Sequence, residues 1–169
     1  MIWIKRIFWL VLLLAAAGAV IFWLLRDNDK AAVVKVMRNI CGMTDKQRGE
    51  SGTLGLIKIG SADKWFADRC EIDVNYGSLD GTMSPQEITA LLARARGAFE
   101  EMRGTMSDLE ITLHDDRQQS TAYFSGEFYG LPKGGGAPVR EVRDLECRLQ
   151  KIDGKWKVIA VRVRRVLER

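Results

Sequence analysis

Two short stretches decide the fold: residues 70–76, which read Cys-Glu-Ile-Asp-Val-Asn-Tyr, and residues 84–87, which read Ser-Pro-Gln-Glu. In the first, apolar side chains alternate with polar ones, which is the period of a strand with one buried face. The second is a capping box with proline at the first helical position, in which Ser84 and Glu87 each bond the backbone amide of the other. The helix that it opens carries an apolar stripe and is predicted to end near Gly104. A strand followed by an amphipathic helix therefore forms the centre of the domain.

The segments on either side of this centre extend the pattern. Upstream, apolar residues at helical spacing predict one helix over residues 30–43 and a second over residues 54–66. Downstream, alternation and turn residues predict four strands. These strands cover residues 109–113, 121–129, 139–151 and 155–166, and Asp153-Gly154 between the last two is a tight hairpin signal. Because consecutive strands with short links pair antiparallel, we predict an α+β domain with its helices packed on one face of a curved antiparallel sheet.

A membrane signal precedes this domain. Residues 7–25 form a run of 19 residues without a charge. As a helix the run is about 28 Å long, close to the roughly 30 Å thickness of a hydrocarbon core. Trp9 and Trp23 near its two ends suit the membrane interface. We predict a single-pass transmembrane signal anchor over residues 1–26 and a folded domain over residues 27–169, with membrane lipid as the first expected partner.

Two features of the anchor leave alternatives open. Residues 17–19, Ala-Gly-Ala, also satisfy the cleavage pattern of a signal peptide, although apolar residues continue through Leu25. Positive charges flank both ends, with Lys5 and Arg6 before the run and Arg26 after it, so the charge bias is small. The N-terminal pair favours a cytoplasmic N-terminus, which would place the domain on the extracytoplasmic (periplasmic) side.

Charge and cysteine content exclude several classes of function. The chain has a net charge of +4, but three of its 26 Lys and Arg residues and none of its 22 Asp and Glu residues lie in residues 1–26. The rest is near neutral, so we expect no nucleic-acid partner. Cys41, Cys70 and Cys147 lack the spacing of a metal or redox site, so no metal or cofactor is expected. They fit small buried apolar positions. A Cys70–Cys147 disulfide remains an alternative if the domain faces an oxidising compartment.

This order of elements resembles the nuclear transport factor 2-like superfamily, also called SnoaL-like, over about residues 30–168. The resemblance rests on residues 65–68, Trp-Phe-Ala-Asp, leading into the first strand, on the Ser84 capping box, and on residues 153–156, Asp-Gly-Lys-Trp. It implies a cone-shaped fold with a pocket at the open end. Members include isomerases, dehydratases, ligand-binding modules and non-catalytic scaffolds. They also include a membrane-anchored subunit of type IV secretion machines, which this chain resembles only in layout. Fold alone does not choose among these activities.

Acid and base candidates for such a pocket are few. The resemblance implies an Asp, His or Tyr in an apolar pocket, and Asp73 and Tyr76 at the first strand are of these types. His114, the one histidine, stands beside Asp115 and Asp116 in a polar turn. A His–Asp pair serves as a general base in enzymes, but a polar turn favours a solvated surface histidine. These candidates do not form a complete catalytic set.

Arginines concentrate on the last two predicted strands. Arg140 and Arg143 lie on one strand, and Arg162 and Arg164 lie on the next. In an antiparallel pair they would converge and hold an anionic ligand, an acidic partner or a lipid headgroup. The alternative, which we favour, pairs them with nearby carboxylates on a solvated face of the sheet.

From these observations we predict a membrane-anchored, non-enzymatic binding or assembly module that engages a protein partner or small ligand through its sheet or cone opening. Because superfamily members often dimerise through the sheet, the resemblance also implies a homodimer. Two alternatives stay open: a membrane-tethered enzyme of isomerase or dehydratase type acting on a small apolar substrate, and an envelope secretion-machine subunit. The side chains that line the largest cavity distinguish them, since an enzyme should bury an acid or base there.

Overall fold

The computed structural model describes residues 28–75 and 80–164. The chain divides into two units, residues 1–32 and residues 33–169, and the sites described below belong to the second. Within the described ranges, no helix has the length and apolar content needed to cross a membrane. The predicted anchor over residues 1–26 lies outside those ranges.

Four helices lie in the described chain. The first, α1, covers residues 28–44 there, and its Val33, Val36 and Met37 are buried. The others are α2 (Gly52–Ile59), α3 (Ala62–Trp65) and α4 (Pro85–Ala98). The single helix predicted over residues 54–66 is therefore wrong. Gly60 ends α2 by bonding its amide to the Leu56 carbonyl, and α3 begins two residues later.

The capping box is confirmed, but the helix behind it is shorter than predicted. Ser84 and Glu87 make both reciprocal bonds, and α4 then ends at Ala98 rather than near Gly104. Phe99 is extended, with φ of −113° and ψ of 146°, and opens a strand. A register shift just after Phe99 lets it and Met102 face the same side although they are three residues apart. That spacing resembles a helical stripe, which explains the error.

The strands form one mixed sheet in the order β2-β1-β6-β5-β4-β3. They are β1 (Phe66–Asp73), β2 (Gly81–Met83), β3 (Phe99–Leu113), β4 (Gln119–Pro132), β5 (Val139–Ile152) and β6 (Lys155–Val163). β3 to β6 pair antiparallel in sequence order, as predicted. β1, however, pairs parallel with β6 and antiparallel with β2. The prediction of a wholly antiparallel sheet is thus wrong at β1, because a helix and four strands separate β1 from β6 and allow the long crossover that parallel pairing needs.

One face of the sheet packs on the helices and forms the core. Cys70, Leu149 and Val158 are fully buried there, and α1 contributes Met37. The β5–β6 hairpin turns at Asp153 and Gly154, whose φ values of 50° and 73° are those of the predicted tight turn. The described residues thus form the α+β arrangement of helices on a curled sheet that the sequence predicts, with a mixed sheet.

A buried charged network joins the segment after α1 to α4. Arg96 is only 5% exposed, and its Nη1 donates to the carbonyls of Met43 and Asp45, both at 2.9 Å. Its Nη2 forms an ion pair with Glu50, whose other oxygen accepts from Lys58 Nζ at 2.6 Å. Both charges are therefore compensated, as buried charges must be.

Candidate functional site

A cavity of about 340 Å³ lies between α1 and the helix-facing side of the sheet. Its walls are largely apolar and include Met37 and Ile40 of α1, Phe66 of β1, Phe124 of β4 and Val161 of β6. Ligand pockets span about 300–1,000 Å³ and are mostly apolar with a few placed polar groups. Both the size and the lining of the cavity therefore suit a small apolar molecule.

Two glycines keep the cavity open on the sheet side. A Cβ on Gly126 would lie 2.9 Å from Leu145 Cδ1, and a Cβ on Gly104 would collide with Thr44 Oγ1. Thr44 stands at the end of α1 and donates its hydroxyl to the Cys41 carbonyl at 2.7 Å. The cavity thus depends on strand positions that carry no side chain.

A carboxylate and a guanidinium from β5 share the cavity wall. Glu141 and Arg143 pair in the sheet with Phe128 and Gly126, which places them on the helix-facing side. Arg143 Nε donates to Glu141 Oε1 at 2.6 Å, and its Nη2 lies 2.5 Å from the same oxygen. Both nitrogens contact one oxygen, so these contacts do not engage the other carboxylate oxygen, Oε2. Glu141 is half-buried and Arg143 is exposed, so the pair connects the apolar interior with solvent.

A second carboxylate, that of Glu127, borders the same cavity but belongs to the other face of the sheet. Glu127 alternates with Gly126 and Phe128 along β4, and its Oε1 accepts from Arg140 Nε at 2.6 Å. Arg140 is therefore separated from Arg143 by the sheet. Glu141 is therefore the carboxylate that both lines the cavity and lies on the cavity side of the sheet.

The thiols at the cavity are poor nucleophiles. Cys41 and Cys147 line the cavity as free thiols. Burial raises the pKa of both, with Asp45 adding to the effect on Cys41 and Cys70 adding to the effect on Cys147. They are consequently neutral at pH 7, where a thiolate would be needed for attack. In the described part of the chain, no three His, Cys, Asp or Glu side chains come together in a group suited to a metal ion.

Two of the three predicted acid and base candidates, Asp73 and His114, lie away from the cavity wall. Asp73 is exposed at the end of β1. His114 is exposed in the β3–β4 turn, where its Nε2 lies 3.2 Å from Thr121 Oγ1. Neither residue lines the cavity. Tyr76 lies outside the described residues.

The other two predicted arginines lie apart from the cavity. Arg162 donates to Glu71 Oε2 at 2.8 Å, and Arg148 donates to the same oxygen at 3.1 Å. Arg164 places its guanidinium carbon 4.9 Å from the centroid of the Tyr123 ring, a cation–π contact. Of the four arginines singled out in the sequence, the structure thus brings only Arg143 to the cavity.

The Glu141–Arg143 pair was absent from the catalytic candidates although the sequence carries a signal for it. Leu145, Cys147 and Leu149 alternate on one face of β5, and extending that alternation backwards places Arg143 and Glu141 on the same face. Charged residues are unusual at positions whose alternation points them to the buried face of a sheet, and such residues mark candidate functional positions. The signal was missed because both residues fit a solvated sheet face equally well.

Known proteins share this architecture. The family model described as the SnoaL-like domain matches residues 59–162, more than half of the chain. The Kfla4162 protein from Kribbella flavida superposes with a TM-score of 0.67 at 14% identity, covering 82% of this chain and 90% of that one. A candidate scytalone dehydratase from Novosphingobium aromaticivorans gives 0.66 at 12%, covering 84% and 87%. A type 3 LinA hexachlorocyclohexane dehydrochlorinase from Novosphingobium barchaimii gives 0.62 at 15%, covering 82% and 87%. No curated protein shows significant similarity.

These neighbours correct the functional prediction. Where their names state an activity, it is mostly enzymatic, which contradicts the predicted non-enzymatic binding or assembly module and favours the enzyme alternative. The predicted resemblance in fold is confirmed by the family match and by the shared architecture. The chain therefore belongs to the SnoaL-like domain family.

Proposed function

We propose that the domain is an enzyme of isomerase or dehydratase type that binds a small apolar substrate in the cavity and moves a proton with Glu141, assisted by Arg143. The observation that carries the proposal is the placement of this ion pair on the wall of a largely apolar cavity. The likeness in fold to a candidate scytalone dehydratase and to dehydrochlorinases supports it. All of these names describe elimination reactions, in which a carbon-bound proton and a leaving group are both lost.

In such a reaction Glu141 accepts and returns the proton. The Glu141 carboxylate removes a proton from a carbon next to a carbonyl, and the electron pair moves to the carbonyl oxygen. In an isomerase, Glu141 returns the proton to a different carbon. In a dehydratase, the electron pair instead expels a hydroxyl group, which takes the proton from Glu141 and leaves as water. A positioned acid–base group of this kind contributes about 10²–10⁴-fold in rate.

The surroundings of the pair favour this chemistry. The guanidinium of Arg143 stands beside the carboxylate, so it can face the negative charge that develops on the substrate oxygen. The apolar walls on the interior side of the pair lower the local dielectric constant and so strengthen that interaction relative to bulk water. The same walls contribute most of the binding contact, which leaves the polar pair to set the orientation of the substrate.

Deuterium exchange tests the proposal without knowledge of the natural substrate. We expect the full chain in D2O to exchange carbon-bound protons of small cyclic ketones that bind the cavity, as followed by NMR. Glu141→Gln should lower the exchange rate by about 10²–10⁴-fold. Ketone binding should stay within a few-fold of the wild-type value, because the apolar walls are unchanged.

Glu127→Gln is the matched control, since this carboxylate borders the cavity but is bound to Arg140 on the other face. Its exchange rate should stay near that of the wild type. Wild-type exchange in Glu141→Gln would overturn the proposal, and so would the absence of exchange for ketones shown by chemical shifts to bind.

The proposed function also includes a membrane tether and a homodimer. Residues 1–26 would hold the enzyme at a membrane with its domain on the extracytoplasmic side, and two copies would associate through the sheet face that carries Arg140 and Arg162. Membrane fractionation with protease protection tests the tether. Light scattering of the full chain in detergent tests the dimer, and a monomer would contradict it.

A further inference from the structure

The helix α2 exposes three large apolar side chains to solvent. Gly55 and Ile59 are buried, whereas Leu54, Leu56 and Ile57 are 56%, 61% and 69% exposed. At about 100° per residue, the three exposed side chains cover roughly 160° of the helix surface. Thr53 and Lys58 share this solvent side, so it combines three large apolar side chains with a cation, and an exposed apolar group of this kind marks an interaction site.

A basic cleft lies beside the same helix. It has a volume of about 350 Å³, and its lining includes Lys46, Arg96 and Lys133 with Glu50 as the one carboxylate. Lys58 of α2 adds a further cation next to Glu50. Burial lowers the pKa of Lys46, and the positive charges of Lys133 and Arg96 lower it further. Lys46 Nζ donates to the carbonyls of Arg96 and Phe99, and Arg96 is paired with Glu50, so Lys133 is the exposed cation of a cleft whose formal charge is positive.

We propose that α2 and this cleft form a docking surface for an anionic lipid bilayer. Leu54, Leu56 and Ile57 enter the interfacial region, while the exposed Lys58 and Lys133 face the headgroup phosphates. This is the composition of helices that lie in a membrane interface, where apolar and basic side chains act together. The inference concerns where the domain sits and is independent of the chemistry proposed for Glu141.

Two observations favour a bilayer over a protein partner or a second copy. The excess of cations next to exposed apolar side chains complements an anionic lipid surface. Seven residues, 26–32, separate the uncharged run of residues 7–25, predicted as an anchor, from the unit that begins at Val33, and residues 28–32 of them already belong to α1. A tether of that length keeps the domain at high effective concentration near the bilayer. Even weak contacts between α2 and lipid would therefore form.

Hydrogen exchange of the full chain in vesicles tests the docking surface. We expect amides of residues 52–59 to exchange about tenfold more slowly with about one-third phosphatidylglycerol than with phosphatidylcholine alone. Salt at about 0.5 M should remove most of the difference because it screens the headgroup charge. The double change Leu56→Ser and Ile57→Ser should abolish the protection, and Lys133→Gln should reduce it. Exchange in α4 reports whether each variant is folded.

Val142→Ser is the matched control, because Val142 is an apolar side chain on β5 with a similar exposure of 58%. It should leave the protection of α2 unchanged. Equal protection in neutral vesicles would overturn the proposal. Protection by inorganic phosphate without vesicles would assign the cleft to a free anion instead, and protection that grows with protein concentration would assign α2 to a second copy.

Discussion

Replacing Gly104 by alanine tests whether α1 and β3 meet at a position with no room for a side chain. A Cβ there would collide with Thr44 Oγ1 and lie 3.3 Å from Thr44 Cβ. The hydroxyl cannot turn away without losing its 2.7 Å bond to the Cys41 carbonyl. Nor can β3 shift freely, because Met102 exchanges two backbone bonds with Lys46, at 2.8 and 3.0 Å.

The expected cost follows from these contacts. Overpacking of a tight site costs about 1–3 kcal/mol. If the Thr44 hydroxyl rotates instead, the lost hydrogen bond costs about 0.5–1.5 kcal/mol. We therefore expect Gly104→Ala to lower the free energy of unfolding by about 1–3 kcal/mol. Adding Thr44→Ala removes the colliding oxygen and should restore about 1 kcal/mol of it, a coupling typical of residues in contact.

Urea unfolding of the full chain, followed by circular dichroism, measures this free energy. Gly97→Ala is the control, since a Cβ on Gly97 in α4 meets nothing within 4 Å. That change should stabilise the chain by about 0.4–1 kcal/mol by restricting the unfolded state. The reasoning is refuted if Gly104→Ala is as stable as the wild type, or if Thr44→Ala makes it less stable.

The same unfolding assay tests the charged network and the core, and a binding assay tests the cavity. Burial acts to raise the pKa of Glu50, but hydrogen bonds from Lys58 and Arg96 outweigh it and hold the pKa below its usual 4.5. The resulting stability is complete above about pH 4.5 and is lost as pH falls through the depressed pKa, so Glu50→Gln should flatten the decline in urea midpoint below about pH 5. Leu149→Ala, at a fully buried position, should cost about 2.7–5 kcal/mol, and a cost below 1 kcal/mol would contradict the assigned core. Gly126→Val should weaken binding of an apolar fluorescent probe by about tenfold, and unchanged affinity would mean that the probe binds elsewhere.

Local signals predicted the elements that local bonds determine. The capping box at Ser84 and the turn at Asp153-Gly154 are each specified within a few residues, and both are confirmed. The antiparallel order of β3 to β6 follows from the short links between those strands. The error at Phe99 has a different origin, because a register shift gave a strand the apolar spacing of a helix.

Long-range pairing explains what the sequence did not predict. The parallel contact of β1 with β6 joins segments far apart in the chain, and no local pattern records which edge β1 will meet. The cavity is a product of the same assembly, since its walls come from α1 and from several strands. Alternation on β5 places Glu141 on one face of the sheet, and only the position of α1 shows that this face borders a cavity.

The position of β6 in the sheet has a consequence for folding during synthesis. β6 is the last of the strands to be synthesised, yet it lies between β1 and β5. Until it leaves the ribosome, the β1–β2 pair and the β3–β5 meander have no shared neighbour, and the edges of β1 and β5 are open to pairing with other chains. A nascent chain halted at Ile152 should therefore aggregate or engage chaperones, and the domain should be completed only after β6 has left the ribosome.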